Sequence, residues 1–197
     1  MKKIVFIVIL AIVVPLIYLI FTNYNNIPKL DENVKEKWSQ VQNQYKRRAD
    51  LIPNLVATVN GYAEHEKGTF VEVTEARSKV SQMNINADTL NNPAAMQQFA
   101  DAQAGLSGAL SKLMLVVEKY PELKANENFM ALQSQLEGTE NRITVARKDF
   151  IEAVKLYNLE LRTMPGKLVA AIAHPSAQVK ETFKASEAEQ EAPKVQF

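Results

Sequence analysis

An uncharged apolar run at the N-terminus constrains this chain more than any other feature. It extends from Ile4 to Phe21 as IVFIVILAIVVPLIYLIF and follows Met1, Lys2 and Lys3. A helix over these 18 residues is ~27 Å long, close to the ~30 Å hydrocarbon thickness of a bilayer. The run predicts a single transmembrane helix at residues 4–21, with residues 1–3 as a basic flank and residues 22–29 as a juxtamembrane linker.

A cleaved signal peptide is the alternative interpretation of this run. Signal peptides usually have an apolar core of ~7–15 residues and end at small residues. This run is longer, and it ends at the bulky residues Leu19, Ile20 and Phe21. The pattern therefore favours a retained signal anchor. The chain contains no cysteine, which excludes lipid attachment through cysteine, disulfides and thiolate chemistry.

The charges on either side of the run indicate its orientation in the membrane. Lys2 and Lys3 abut the run, whereas Lys29, Lys35 and Lys37 begin a long domain. Long domains translocate largely regardless of their charge, so we expect a cytoplasmic N-terminus and an extracytoplasmic domain in the cell membrane. A cytoplasmic domain is the alternative. The net charge of +1 argues against a nucleic-acid partner, which would require a sustained basic excess.

Beyond the run, apolar residues recur at spacings of three and four, the periodicity of helices that pack in a bundle. The clearest stripe contains one polar member, Gln103, and comprises Met96, Phe99, Gln103, Leu106, Leu110, Leu113, Val117 and Tyr120. Another extends from Phe129 to Leu161. These stripes predict an all-α domain at residues 30–175, an antiparallel four-helix bundle with long helices. The polar, glutamate-containing residues 176–197 are predicted to form a mobile acidic tail.

Pro53 lies in the middle of a third apolar stripe, which extends from Leu30 to Val80. Inside a helix, a proline at this position provides no N–H for the carbonyl of Ala49, and its ring presses on that carbonyl. The chain either kinks within one continuous helix or begins a new helix at Pro53. Equal helix lengths favour the second option, with a helix break at Pro53.

Few residues have the spacing of a catalytic or metal site. His65 and Glu66 begin an H-E-x-x-H pattern, but Thr69 occupies the position of the second histidine. Because the chain has two histidines and no cysteine, neither a three-histidine zinc site nor a di-iron bundle is expected. We therefore expect no enzymatic activity, no cofactor and no metal.

One polar set is the best candidate for an interaction surface, and its members are Arg47, Arg48, Asp50, His65, Glu66 and Arg77. Structural roles on solvated helix faces and at helix caps are the alternative for the same side chains.

Three segments carry a resemblance to a known family. They are KWSQVQNQYKRRADLIPNLVATVNGYAEHEKGTF at 37–70, VVEKYPELKANENFMALQSQLEGTENRITVAR at 116–147 and EAPKVQF at 191–197. In these segments the chain resembles the LemA family of bacterial membrane proteins. The resemblance implies a single anchor and an antiparallel helical bundle, and it supplies no established reaction. Phe150 and Ile151 stand where the family usually has a tyrosine–asparagine pair.

These observations favour a non-enzymatic, membrane-anchored scaffold or protein-interaction module of the bacterial envelope. Its expected partners are the lipid bilayer, through Ile4–Phe21, and other membrane or envelope proteins. A ligand-sensing domain that binds a small molecule or peptide between helices near Arg48 and Asp50 is the first alternative. Lateral self-assembly into a homo-oligomer that organises the membrane is the second.

Overall fold

A computed structural model describes residues 2–83 and 86–183, apart from the side chains at positions 2, 16, 19–22, 87 and 88. This part of the chain is all-α and contains no strand. Its α-helices are α1 (Lys2–Asn23), α2 (Asn26–Asn60), α3 (Lys67–Ser81), α4 (Pro93–Val117), α5 (Pro121–Lys124), α6 (Glu127–Arg162) and α7 (Gly166–Ala173), with a 3-10 helix at Ala87–Asn91.

Four long helices form the bundle. Helices α2 and α6 pack against each other in antiparallel directions, since Trp38 lies beside Phe150 and Arg48 contacts Glu140. Helices α3 and α4 form a second antiparallel pair, and α3 also packs on α2. The bundle starts earlier than the predicted boundary at residue 30, because α2 begins at Asn26 and Ile27 is already buried.

The core consists of two apolar clusters stacked along the bundle. The first contains Trp38, Tyr45, Phe99 and Phe150, and the second contains Ile52, Leu55, Leu106, Leu113 and Phe129. Arg48 falls between the clusters along α2, and Gln103 falls between them along α4. A polar layer therefore separates the two halves of the core.

Side-chain caps explain where α4 and α6 begin. The Asn92 side-chain oxygen accepts bonds from the N–H groups of Ala94 and Ala95 at 3.0 and 3.2 Å. Pro93 occupies the first helical position, where no N–H is required. The Asn126 side chain accepts from the N–H of Phe129 at 3.0 Å. These amides satisfy first-turn donors that have no partner within the helix.

Pro53 does not break the helix, which corrects the prediction of a helix start there. It lies inside the continuous helix α2, and the chain turns instead between Asn60 and Lys67. Arg77 of α3 explains how the proline is accommodated, because its Nε donates to the carbonyl oxygen of Ala49 at 2.8 Å. This is the carbonyl that loses its intrahelical donor when position 53 is proline. A side chain from the neighbouring helix thus supplies the missing bond.

The first part of the predicted mobile tail, residues 176–183, packs against the bundle. The backbone N–H and C=O of Lys180 both bond to the side-chain amide of Asn158 at 2.8 Å. The Phe183 ring lies within 6.0 Å of the Trp38 ring and 5.7 Å of the Phe150 ring. Composition suggested disorder because it does not reveal these few anchoring contacts. Residues 184–197 of the predicted tail lie outside the described residues.

Helix α1 extends away from the bundle and presents apolar side chains to its surroundings. Ile4, Phe6, Ile12 and Ile17 are all exposed. None of the helices, over the residues that the structure describes, has the length and apolarity of a membrane span. The side chains at positions 16 and 19–21 of the predicted span lie outside the described residues.

Candidate functional site

Arg48 is the centre of a polar network inside the bundle. Its side chain is 2% exposed, so it is not part of a surface as the sequence suggested. The Nη1 group donates to Ser107 Oγ and to Glu140 Oε1, both at 2.9 Å. The Nη2 group donates to the side-chain oxygen of Gln103 and, at 3.4 Å, to its backbone carbonyl. One guanidinium group therefore connects α2, α4 and α6.

Two buried donors in this network have no hydrogen-bond partner among the residues that the structure describes. They are Arg48 Nε and the side-chain nitrogen Nε2 of Gln103. Both residues line a cleft of about 290 Å³, together with Tyr45, Ser107, Glu140 and Arg147. A buried donor without a partner is destabilising unless a water or ligand oxygen satisfies it. Both donor atoms have almost no accessible surface, so an acceptor oxygen in the cleft reaches them only when the surrounding side chains move.

Aromatic rings and a second arginine complete the walls of the cleft. The Arg48 guanidinium lies 5.2 Å from the centre of the Tyr45 ring, and the Arg147 guanidinium lies 4.4 Å from the centre of the Phe183 ring. Burial raises the pKa of the Tyr45 hydroxyl, and the positive charges of Arg147 and Arg48 partly oppose this shift. Tyr45 is therefore neutral at physiological pH. Glu140, the carboxylate that bonds to Arg48, is 43% exposed, so the pair is buried on one side only.

The other sequence-predicted residues occupy different places. Arg77 bonds to the α2 backbone, whereas Arg47 and Asp50 are exposed on α2. His65 is exposed in the link between α2 and α3, and Glu66 lies 3.8 Å from the ammonium of Lys119. This link is ~21 Å along the helix axis from Arg48. The structure therefore does not bring the six residues together around one site.

Four residues of the network did not stand out as candidates in the sequence, namely Gln103, Ser107, Glu140 and Arg147. Gln103 carried a signal, since it was the single polar member of an otherwise apolar stripe. A polar residue at such a position is buried and must find a partner across the core. Nothing in the spacing of Glu140 or Arg147 distinguishes them from the solvated charges along α6.

An apolar groove lies between α4 and α6, at the end of the bundle opposite α1. It has a volume of about 540 Å³, and its apolar lining includes Leu110, Met114, Val117, Phe129 and Leu136. Three glutamates and one lysine also line it: Glu118, Glu137, Glu140 and Lys124. Glu118 pairs with Lys124, and Glu140 pairs with Arg48. The groove thus combines an apolar lining with one glutamate, Glu137, that takes part in neither of these ion pairs.

Acidic and histidine side chains do not converge on a potential metal site. Within residues 2–83 and 86–183, no three of them lie close enough together to hold an ion. The polar chemistry of the described part lies instead in the arginine network, in the buried Lys180–Asp31 pair and in surface ion pairs.

The fold and this site define an all-α bundle protein whose long helices enclose a buried arginine layer. The chain belongs to the LemA family, whose family model matches residues 37–197. Membership indicates a membrane-associated protein. The resemblance inferred from the sequence motifs is thereby confirmed.

Curated relatives show the same relationship at low identity. The chain is 25% identical to "Magnetosome protein MamQ 2" of Paramagnetospirillum magneticum over 177 residues, which cover 81% of this chain and 65% of that protein. It is 24% identical to "Magnetosome protein MamQ" of Magnetospirillum gryphiswaldense, with coverage of 76% and 61%. It is 24% identical to "Protein LemA" of Metamycoplasma hominis, with coverage of 86% and 74%. The chain thus spans less than two thirds of the length of the MamQ proteins.

Proposed function

We propose that this protein is a non-enzymatic, membrane-tethered helical scaffold that presents a docking surface to another envelope protein. The observation that carries the proposal is α1, a 22-residue helix whose described apolar side chains are exposed although it adjoins a well-packed bundle. Water is an unfavourable environment for that much apolar surface, whereas a bilayer accommodates it. In the sequence, the 18 uncharged residues of Ile4–Phe21 match the length of one span, whereas no helix over the described residues alone is long and apolar enough to cross a membrane.

The groove between α4 and α6 is the docking surface of this proposal. Its apolar lining, with the exposed Glu137 beside it, complements an amphipathic helix that carries apolar anchors and a lysine or arginine. The partner is therefore expected to contribute a basic amphipathic segment. The groove lies at the end of the bundle opposite α1, so it stays accessible while α1 tethers the protein.

Site-specific crosslinking in native membranes tests this function. Because the chain contains no cysteine, Met130→Cys places one thiol in the groove for a photoactivatable maleimide reagent. Leu115→Cys is the matched control, since Leu115 is exposed on α4 and does not line the groove. We expect a discrete crosslinked polypeptide from Met130→Cys that weakens when Glu137→Lys is added. The same products from both positions, or none from Met130→Cys, would contradict the proposal.

The arginine cleft supports a second candidate function, ligand sensing. Arg48 Nε and Gln103 Nε2 are buried donors without a partner in the described part of the chain, and a ligand oxygen that displaces the side chains around them would satisfy both. The cleft is bordered by three long helices, so a ligand there could alter how α4 packs against α2 and α6. The expected ligand is a small molecule with a carbonyl or carboxylate group.

Thermal unfolding of the detergent-solubilised full chain against a metabolite panel tests this second function. A ligand that binds the folded state raises the unfolding midpoint by mass action. Replacing the donors through Arg48→Met with Gln103→Leu should abolish the shift. A shift that persists in this variant would place the ligand elsewhere, and the absence of any shift would count against sensing.

A further inference from the structure

Helix α7 has two apolar faces, and the core uses only one of them. Gly166 and Val169 are buried, and Ala170 and Ala173 pack against the first apolar cluster. Leu168 and Ile172, four residues apart, lie away from these buried positions, and Met164 precedes the helix by two residues. Met164 is 71% exposed and Ile172 is 60% exposed. Bundle packing explains the inner face, and the described part of the chain leaves the outer one uncovered.

The position of α7 indicates what could cover this outer face. Helix α7 contacts α1 directly. His174, which follows α7, has its ring Nε2 2.9 Å from the carbonyl oxygen of Tyr24, and the two rings are 5.0 Å apart. Tyr24 directly follows α1, so α7 lies where the apolar helix leaves the bundle. Helix α7 therefore lies beside the end of α1, and the exposed apolar side chains of the two helices belong to neighbouring elements.

Along the chain, the charges on and beside α7 are basic, whereas in space the Glu160 carboxylate lies against Gly166 with its Oε1 atom buried. No acidic residue occurs between Arg162 and Lys180, and Lys167 is exposed on α7. At the start of α2, Lys29 is exposed, and no acidic residue precedes Asp31 in the chain. Basic side chains beside a membrane anchor are attracted to anionic headgroups.

We propose that α7 is an interfacial helix that lies on the bilayer, with Met164, Leu168 and Ile172 at the boundary between headgroups and acyl chains. Lys167 contacts lipid phosphates beside them. This inference rests on the membrane tether proposed for α1. A single span leaves the bundle free to tilt, whereas a second contact through α7 restricts its orientation relative to the membrane.

Depth-dependent fluorescence quenching tests the inference on the full chain in vesicles of phosphatidylcholine and phosphatidylglycerol. Separate variants Ile172→Cys, Met164→Cys, Ile9→Cys and Val145→Cys are labelled with an environment-sensitive dye. Val145 is the matched control, because it is an exposed apolar residue of α6 that lies ~25 Å along the helix from its C-terminal end. We expect doxyl lipids to quench the labels at Ile172, Met164 and Ile9 by more than twofold, and to leave the label at Val145 largely unchanged.

The four labels separate failure of this inference from failure of the tether. If the label at Ile9 is quenched but the labels at Ile172 and Met164 are as little quenched as the label at Val145, the interfacial helix is overturned. The membrane tether would then remain supported. An unquenched label at Ile9 would contradict the tether itself. Blue-shifted emission at Ile172 without lipid quenching would mean that protein covers α7, and this result too would overturn the inference.

Discussion

The buried arginine makes the stability of the bundle sensitive to its one carboxylate partner. Arg48 is almost fully buried, whereas its carboxylate partner Glu140 remains partly solvated. Desolvation therefore penalises the cation more than the anion. Removing the carboxylate leaves a buried guanidinium without its counter-charge, and removing the arginine leaves a carboxylate that water can still reach.

Glu140→Gln should lower the free energy of unfolding by about 2 kcal/mol, because the buried Arg48 cation loses its compensating charge. Urea unfolding of the full chain in detergent, followed by circular dichroism, measures this change. Glu137→Gln is the control one turn away, because Glu137 is exposed and bonds only to Gln133 among the side-chain contacts described. It should change stability by less than about 0.5 kcal/mol. Equal effects of the two substitutions would contradict the role assigned to Arg48.

An apolar replacement of the layer should keep the fold. The double substitution Arg48→Met with Gln103→Leu removes both unpartnered donors. It also removes both side chains of the hydrogen bond between Arg48 and Gln103. Similar exchanges of buried ionic groups for apolar ones are often neutral or stabilising. We expect the unfolding free energy to stay within about 1 kcal/mol of the original in the same urea experiment. A loss of several kcal/mol would mean that the layer is required for stability, which would weaken the case for a ligand-binding role.

A second buried ion pair should produce a measurable pH dependence. Lys180 is buried and pairs with Asp31 at 2.8 Å, and Lys35 bonds to the same carboxylate. Burial alone would raise the pKa of Asp31, but these two ammonium groups lower it below its ordinary value of 3.8. A carboxyl with a lowered folded-state pKa stabilises the fold above its unfolded pKa, and this contribution is lost as the pH falls through the folded pKa.

Asp31→Asn should therefore reduce stability at pH 7 and flatten the decline of the unfolding free energy below about pH 4. Urea unfolding at a series of pH values between neutrality and about pH 2 measures both effects. Asp50→Asn is the control, an exposed carboxyl on the same helix. If the unfolding free energy of Asp31→Asn falls with pH as steeply as that of the unsubstituted chain, the Lys180–Asp31 pair does not contribute to the pH dependence of stability.

At the scale of elements, the continuity of α2 depends on a residue from α3. A proline inside a helix removes one hydrogen bond, and here Arg77 replaces it with a bond to the Ala49 carbonyl. The sequence showed the proline and its orphaned acceptor, but it could not show that a residue 28 positions later would reach it. This is why the position of the break was predicted incorrectly although the helical stripes were recognised.

The arrangement predicts a coupling between positions 53 and 77. Arg77→Met should cost about 1–3 kcal/mol in the native chain, because the Ala49 carbonyl loses its donor. The same substitution in a Pro53→Ala background should cost less, since alanine restores a backbone N–H at position 53 that can donate within the helix. A double-mutant cycle by urea unfolding measures the difference. Additive effects would show that Arg77 does not compensate for the proline.

Helix periodicity was sufficient for the all-α class because the stripes on α4 and α6 are long and nearly continuous. The candidate site was predicted only in part. Arg48 was singled out, but its partners on α4 and α6 are 55 to 92 residues away, and single-sequence patterns do not report such contacts. Phe183 was missed for the same reason, since its packing against Trp38 and Phe150 joins parts of the chain that are far apart in sequence.

At the scale of the whole molecule, the proposed membrane tether makes the side on which the bundle lies decisive for which partners can reach it. The lysines on the two sides of α1 are nearly balanced, and the proposed interfacial contact of α7 is compatible with either leaflet. We propose the extracytoplasmic side, because the charges that abut the span are those of Lys2 and Lys3. The absence of cysteine from the sequence allows a direct measurement.

Val145→Cys should react with a membrane-impermeant maleimide in intact cells, because Val145 is exposed on α6 and the bundle is expected outside the cytoplasm. Lys3→Cys is the opposite control, and it should react only after the cells are permeabilised. Where the cell has an outer membrane, the reagent is small enough to pass through its porins. The labelling therefore reports on which side of the cytoplasmic membrane each cysteine lies. Reaction of Lys3→Cys in intact cells together with protection of Val145→Cys would reverse the orientation and move the partner of the α4–α6 groove into the cytoplasm.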